Sequence, residues 1–300
     1  MAVAEERIRT SEPPRLRVRT RIADLWRRRE VLVNLARKET KVKYKSSALG
    51  VAWSMMNPLL YLVVFFVVFT FILPSRVPDF AVYLLSGLLA WALFSTGLSG
   101  ATSSVVNNAS LVGKVAFPRE ILPLSALGSS LVNFGFQFLV LLAVMLATGY
   151  GFLGSQIVLL PLALAVLLLF TLAVGLLTSA LNVRYRDTAH LVELLLLAWF
   201  WFTPVIYPAR LVLDKSTELG SPLLFQLYQL NPMVHVVLGF QRALYGARTF
   251  PDGTTPVLPD AGLAWYAIRL GVLGAISLAL LLLTWRLFFR RSGDFAEELG

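Results

Sequence analysis

Long apolar runs separated by short polar segments dominate this chain. Three stretches contain no Asp, Glu, Lys or Arg at all, namely 46–75, 80–113 and 121–183. About 20 apolar residues are enough for a helix to cross a bilayer, so the longest stretch can cross twice. The pattern predicts a multi-pass membrane protein and argues against a soluble enzyme or a disordered chain.

Six membrane spans are predicted from these runs and from the Pro and Gly residues near their ends. They cover residues 51–73, 80–99, 122–148, 157–181, 189–207 and 265–287. Between the last two spans, residues 222–246 are too apolar for a free loop, yet Asn231-Pro232 interrupts them. We expect short re-entrant helices in this external loop, since non-helical backbone is tolerated at membrane depth where protein buries it.

The segment before the first span has a different pattern. Apolar residues recur at helical spacing over 22–48, and most basic residues fall on the other face. This favours an amphipathic helix at an anionic membrane surface, with a solvated charged helix as the alternative. The prediction is therefore an all-α integral membrane protein, with a flexible basic arm (1–21), an interface helix (22–48), a six-span domain (49–290) and a cytoplasmic tail (291–300).

The charge distribution predicts the orientation. The net charge is +10, and residues 1–50 hold 14 of the 27 Lys and Arg residues. With the N-terminus inside, 21 basic residues lie on the cytoplasmic side and 5 in external loops. The positive-inside rule then places both termini in the cytoplasm. Because the basic residues concentrate in one leading segment, they do not indicate a nucleic-acid partner.

The sequence offers little for catalysis. It has no cysteine, and its two histidines, His190 and His235, are far apart in predicted opposite loops, so neither a metal site nor a catalytic dyad is expected. No GxxxxGK[ST] motif is present to hold a nucleotide phosphate. The carboxylates lie in loops or at span ends, with Glu193 the deepest, whereas ion-coupled carriers place such groups near the midplane. We predict no enzyme activity and no cofactor in this chain, so uphill transport would need energy from another subunit.

Four motifs occur in order along the chain. They are KETKVKYKSSALGVAW followed by NP (38–53 and 57–58), KVAFPRE with LP (114–120 and 122–123), NVRYRD (182–187), and NP (231–232) with Arg242. Together they closely resemble permeases of the type-2 ABC transporter family, in the branch that exports O-antigen, capsule and teichoic acid. The resemblance covers about residues 25–300.

The resemblance implies a homodimer bound to two copies of a separate cytoplasmic ATPase subunit, which binds ATP and Mg. Such an assembly exports a lipid-linked glycan from the cytoplasm to the outer face of the bacterial plasma membrane. One alternative is an ABC permease that exports a drug or a lipid. Another is a membrane enzyme of polyprenyl-linked sugar metabolism, although such enzymes usually cluster acidic or histidine residues at the membrane edge.

Two cytoplasmic loops are the candidate contacts with the ATPase. Their residues are Leu111, Lys114, Phe117, Pro118, Arg119 and Glu120 in the first loop, and Arg184, Tyr185, Arg186 and Asp187 in the second. An aromatic residue beside an arginine is typical of an interface anchor, and Arg119 and Glu120 are candidates to pair across the joint. The alternatives are an interfacial loop with a snorkelling Lys114, and for the second loop a topological signal or a lipid-diphosphate contact.

A second group of candidates follows the expected substrate path. It comprises Lys43, Tyr44, Lys45 and Trp53 at the inner mouth, Tyr61, Phe65 and Phe69 on one stripe of the first span, and Trp199 and Phe202 in the fifth. Aromatic rings stack against sugar C–H faces, although membrane proteins also place aromatics against lipid and at interfaces. From the resemblance alone, Asn231, Pro232 and Arg242 mark the external re-entrant segment.

Overall fold

A computed structural model describes residues 18–44, 52–72, 76–115, 117–151 and 154–299 of the 300-residue chain. Within these ranges the fold is mostly helical and has no named β-strand. Thr249 and Pro256 form an isolated β-bridge.

The first described helices precede the long bundle helices in the sequence. They are α1 (Val18–Arg27), α2 (Arg29–Tyr44) and α3 (Ala52–Val67), the last continued by a π-helical turn at Val68–Ile72. The interface helix predicted over 22–48 is thus divided at Arg28, and α1 already includes residues 18–21, which were assigned to the flexible arm. The physical reason is a contact made by Arg21, described below.

Four helices are long and apolar enough to cross a membrane. They are α4 (Phe80–Asn107), α6 (Ile121–Ala147), α7 (Leu159–Arg184, preceded by a 3-10 turn) and α12 (Leu263–Arg291). The short helix α5 (Ala109–Lys114) follows α4. These four long helices coincide with the predicted second, third, fourth and sixth spans, which confirms a multi-pass helical membrane protein.

The other two predicted spans are shorter as helices. The α-helical part of the first, α3, has 16 residues, and α8 (Thr188–Trp201) has 14. The helix α8 ends early because the chain turns before Pro204, which cannot donate a backbone hydrogen bond. By length and composition the described residues contain four candidate spans, or five if one bent pair counts as a span.

That bent pair lies between α8 and α12. The chain forms α9 (Arg210–Glu218), then α10 (Pro222–Gln229) and α11 (Pro232–Leu244). The axes of α10 and α11 are bent by 79° at the break that contains Leu230 and Asn231. The sequence interruption at Asn231-Pro232 therefore produces a sharp bend within an apolar segment.

The central helix of the bundle is α4. Within its most apolar window 78% of the residues are buried, compared with 28–39% for the other three long helices. Small residues allow the helices to approach α4: a Cβ atom built on Gly175 of α7 would lie 2.8 Å from Ala101 Cβ. Close contact of this kind is the usual way that helices associate in lipid.

A separate hydrophobic cluster lies at the end of the bundle where α4, α7 and α12 finish and α6 begins. It includes Val112, Val183, Trp285, Phe288 and Phe295, and Phe295 belongs to the last helix, α13 (Phe295–Leu299). We call this end of the bundle, together with α5 and residues 115–120, the junction. The tail after residue 291 is therefore packed against the protein at Phe295.

Candidate functional site

The junction is organised around one buried carboxylate. Glu120 is 1% exposed and accepts two hydrogen bonds of 2.9 Å, one from Nε and one from Nη2 of Arg21. Trp285 Nε1 donates a third at 3.2 Å. The three residues belong to α1, the 115–120 loop and α12, so this carboxylate joins α1 to the loop and to the last long helix. Such bidentate arginine–carboxylate pairs are both strong and directional.

The neighbouring Arg119 does not form the pair with Glu120 that the sequence suggested. Its guanidinium lies over the Phe295 ring, 5.9 Å from the centroid, and partial burial lowers the pKa of Arg119 from its usual value. Phe295 is fully buried and meets Phe288 edge-on at 5.3 Å. The helix α13 also packs against α5 and α7. The tail therefore contacts the helices that carry parts of both candidate loops.

The first loop exposes different residues from those expected. Leu111 and Phe117 are partly buried against the chain's own cluster, and Pro118 is buried. Lys114 and Val115 are exposed, Val115 by 52%. Val115 was not singled out from the sequence, yet among the described residues of this turn it is the exposed large apolar side chain.

The second loop, Arg184 to Asp187, is exposed along its length. Asn182 fixes its shape, because its side chain accepts a hydrogen bond from the Ala189 amide at 3.1 Å and donates to the Thr102 carbonyl at 3.2 Å. The guanidinium of Arg184 lies 5.5 Å from the Tyr185 ring centroid. The loop thus presents two cations and an aromatic ring on a rigid base.

The inner-mouth prediction falls largely outside what the structure describes. Lys45 and the side chains of Lys43, Tyr44 and Trp53 lie outside the described residues.

The adjacent turn of α2 is well defined. The Glu39 carboxylate accepts a hydrogen bond from Ser125 Oγ at 3.2 Å, and Thr40 Oγ1 lies 3.0 Å from Ser129 Oγ. Burial raises the pKa of Glu39, although the Ser125 hydrogen bond opposes this. A polar cavity of about 450 Å³ lies beside these contacts and is lined by residues of α2, α4 and α6.

Part of the predicted aromatic path lines a groove of about 350 Å³ among α3, α4, α6 and α8, which we call the middle groove. Its lining includes Tyr61, Trp91 and Phe200. The ring centroids of Trp91 and Phe200 are 5.5 Å apart. Phe65 and Phe69 continue the stripe from Tyr61, with successive ring centroids 6.0 and 6.2 Å apart. Phe65 and Phe69 pack against the main core, so they stabilise α3.

A larger, mostly apolar groove of about 780 Å³ lies between α8, α9 and α10, and we call it the outer groove. It brings together four predicted residues, namely Trp199, Phe202, Asn231 and Pro232. Trp199 packs edge-on against Phe94 at 5.1 Å, so its ring also stabilises the core.

Asn231 is the polar centre of the bend between α10 and α11. Its Oδ1 accepts hydrogen bonds from Trp199 Nε1 at 2.7 Å and from the Met233 amide at 3.0 Å. Its Nδ2 donates to the Phe202 carbonyl at 2.9 Å and to Thr203 Oγ1 at 3.2 Å. One side chain therefore caps α11 and joins it to the end of α8, which explains why an Asn stands before this Pro.

Arg242, the third residue of the predicted external segment, is not beside Asn231. Its guanidinium lies 5.7 Å from the Tyr266 ring centroid and so joins α11 to α12. The sequence did not identify Gln241, which is fully buried and donates to the Pro204 carbonyl at 2.9 Å. Among the described residues, no group of three His, Cys, Asp or Glu is placed to hold a metal ion.

The chain is similar in sequence to known membrane transport proteins. The family model described as ABC-2 type transporter matches residues 30–245. The chain belongs to the ABC-2 type transporter family. The resemblance seen in four sequence motifs is thereby confirmed, and this family consists of transporter permeases rather than enzymes of sugar metabolism.

Relatives within the ABC-2 family carry more specific names. The chain is 33% identical over 279 residues to the O-antigen export system permease protein RfbA of Myxococcus xanthus, covering 93% of this chain and 98% of the relative. It is 28% identical to a protein of the same name from Klebsiella pneumoniae, over 71% of this chain and 79% of the relative. It is 23% identical to the polysialic acid transport protein KpsM of Escherichia coli, over 67% and 75% respectively.

Proposed function

We propose that this chain is the permease subunit of an ATP-driven ABC exporter that moves a lipid-linked cell-envelope polysaccharide to the outer face of the membrane. The observation that carries the proposal is the similarity to an O-antigen export permease along 93% of the chain. The middle groove supports it, because aromatic rings beside hydroxyl and carboxylate groups suit a sugar chain. These two observations together support the proposed substrate class.

The energy would come from a separate ATPase subunit, present in two copies and holding ATP and Mg. The junction supports this arrangement, since Lys114 and Val115 protrude from a loop that Glu120 fixes to α1 and α12. A rigid loop with an exposed apolar tip is able to transmit movement of a docked subunit. Residues 184–187 would supply a second contact through their exposed arginines.

A homodimer would complete the permease. Large apolar side chains are exposed along α8, including Leu194, Leu195 and Leu197, each by 64–66%. Tyr61 and Glu193, which line the middle groove, are also more than half exposed, so the groove is open at one side. A second copy facing α3 and α8 would cover this apolar face and enclose the groove.

The proposed setting is the bacterial plasma membrane with six spans and both termini inside. In that arrangement α3 with its π-helical turn forms the first span, and α8 with residues 202–207 forms the fifth. The bent α10–α11 pair is then a re-entrant segment in the outer leaflet, with Asn231 at its turn. The distribution of basic residues, 21 inside and 5 outside, supports this orientation.

A complementation experiment tests the function and the coupling loop together. Disruption of the gene in its host should abolish one surface polysaccharide and leave its lipid-linked precursor inside the cell. Wild-type chain should restore export, whereas Val115→Glu should not, because a buried carboxylate at the ATPase interface typically costs about 2 kcal/mol or more of binding free energy. Copurification of the ATPase subunit with each variant measures the assembly directly.

Leu219→Glu is the matched control, since Leu219 is 68% exposed in the turn after α9 and lies outside both the junction and the predicted spans. It should restore export. A disruption that leaves every surface glycan unchanged would defeat the proposed function. Normal ATPase binding by Val115→Glu would remove only the assigned role of the loop.

A further inference from the structure

The middle groove has a definite hydrogen-bonding character. Ser95 Oγ and Thr96 Oγ1 both direct their hydroxyl hydrogens to the Ala92 carbonyl, at 3.4 and 2.6 Å. Their oxygen lone pairs are therefore what the groove offers to a ligand. The carboxylate of Glu193 is an acceptor as well, and Gln137 supplies an amide that both donates and accepts. The groove is rich in acceptors, so it suits a ligand that donates.

The charge of the groove points in the same direction. Of the described residues that line it, Glu193 alone is charged. It is 67% exposed and its nearest basic group is His190 Nδ1 at 3.9 Å, one turn away on the same helix. No lysine or arginine among these lining residues is present to offset the carboxylate.

Aromatic rings form the other wall. Tyr61 is 52% exposed, and Phe200 is partly exposed beside the buried Trp91. Ring faces accept sugar C–H groups and also attract ammonium groups. The volume of about 350 Å³ lies at the lower end of the range for small-ligand sites, roughly 300–1,000 Å³, which fits a short segment of a longer chain.

From this juxtaposition we propose that the middle groove is a glycan subsite that favours neutral and amino sugars and discriminates against acidic ones, with Glu193 setting the charge preference. Neutral sugars donate hydroxyl hydrogens to Ser95, Thr96 and Glu193. Amino sugars with a free ammonium group are also attracted to the Glu193 carboxylate and to the aromatic ring faces. Uronic or sialic acids bring a carboxylate that cannot donate and is repelled. This inference rests on the proposed function and narrows its substrate class.

Binding of matched oligosaccharides to the full chain in lipid nanodiscs tests the inference. The probes are hexamers of N-acetylglucosamine (neutral), glucosamine (cationic) and galacturonic acid (anionic). Saturation-transfer NMR measures the binding of each hexamer. Wild-type chain should bind the anionic hexamer about fivefold or more weakly than the neutral one, and the cationic hexamer most tightly. Equal binding of the three hexamers, or binding of none, would overturn the subsite.

Variants locate the preference. Glu193→Gln should bring the anionic hexamer close to the neutral one and remove the advantage of the cationic hexamer, while Glu297→Gln, an exposed carboxylate on α13, should change neither. Gln137→Lys provides an independent variant, because an added cation in the same groove should strengthen binding of the anionic hexamer. An unchanged order of the three probes in both groove variants would contradict the assignment.

This failure is distinguishable from failure of the proposed function. Loss of a surface polysaccharide on gene disruption, combined with an unaltered probe order in the variants, would leave the exporter intact and reject only the charge preference. No glycan phenotype on disruption would reject the exporter itself.

Discussion

At the residue scale, Glu120 is the contact that holds the junction together. Its carboxylate is almost completely buried and has three hydrogen bonds from two side chains that are far from it in sequence. Removing one member of a buried ion pair usually costs several kcal/mol, because the partner is left without a counter-charge. Arg21 is 23% exposed, so water compensates part of that loss.

We therefore predict that Glu120→Gln lowers the free energy of unfolding by about 2 kcal/mol. Thermal unfolding of the purified chain in detergent measures this. Glu30→Gln, which alters an exposed carboxylate on α2, is the control and should leave the midpoint unchanged. Equal midpoints for the two variants would show that the Arg21 pair contributes nothing to stability.

At the element scale, the sequence identified helices better than it identified their partners. The apolar runs predicted α4, α6, α7 and α12 because a helix in lipid needs a long uncharged segment whatever it packs against. It could not predict that Arg21 pairs with Glu120, since 99 residues separate them. The docking of Phe295 was equally hidden, because its pocket is built from α5, α7 and α12.

In the candidate site too, residues on one helix were predicted, whereas their neighbours from other helices were not. Tyr61 was predicted from its helical stripe, and it does reach the middle groove. Its partners Ser95, Thr96 and Gln137 come from other helices and were not identified, because polar residues inside spans have no distinctive spacing. The exposure of Val115 was not predicted, because residue type alone does not distinguish it from the partly buried Phe117. The inner-mouth lysines remain a prediction.

The close packing of α4 against α7 gives a prediction for these elements. Gly175→Ala should place a methyl group 2.8 Å from Ala101 Cβ, so the two helices must separate. Overpacking of this kind typically costs about 1–3 kcal/mol, which should appear as a lower thermal midpoint. Gly135→Ala is the matched control, since nothing lies within 4 Å of its added Cβ. If both variants unfold at the same temperature, the helices are not in tight contact there.

At the scale of the whole molecule, the orientation can be tested on the intact chain. A reporter fused after Gly300 should be cytoplasmic, and one inserted at Gly253, in the exposed turn between α11 and α12, should be external. The reason is the excess of basic residues in the predicted cytoplasmic segments, 21 against 5. Enzymatic reporters active on opposite sides of the membrane measure both positions. Two reporters on the same side would contradict the six-span arrangement.

At the same scale, a chain without a nucleotide-binding motif needs a second subunit to drive uphill transport, and we propose that this subunit docks at the junction. The junction joins α1, the 115–120 loop, α12 and α13 at the end of α4. Residues of α8 line both grooves, and residues of α4 line the middle groove. Movement imposed on the loop by an ATPase would therefore reach the helices that line the grooves. This connection is the physical content of the proposed export mechanism.

Transport by the reconstituted complex measures the proposed export itself. The chain and its ATPase subunit are placed in proteoliposomes with the radiolabelled lipid-linked glycan isolated from the disrupted strain, and the measurement is how much glycan an impermeant glycosidase can reach with time. We predict that ATP moves glycan to the other leaflet, and that neither ATP without the permease nor the permease with a hydrolysis-deficient ATPase does so. ATP hydrolysis by an intact complex that leaves the glycan distribution unchanged would contradict this prediction.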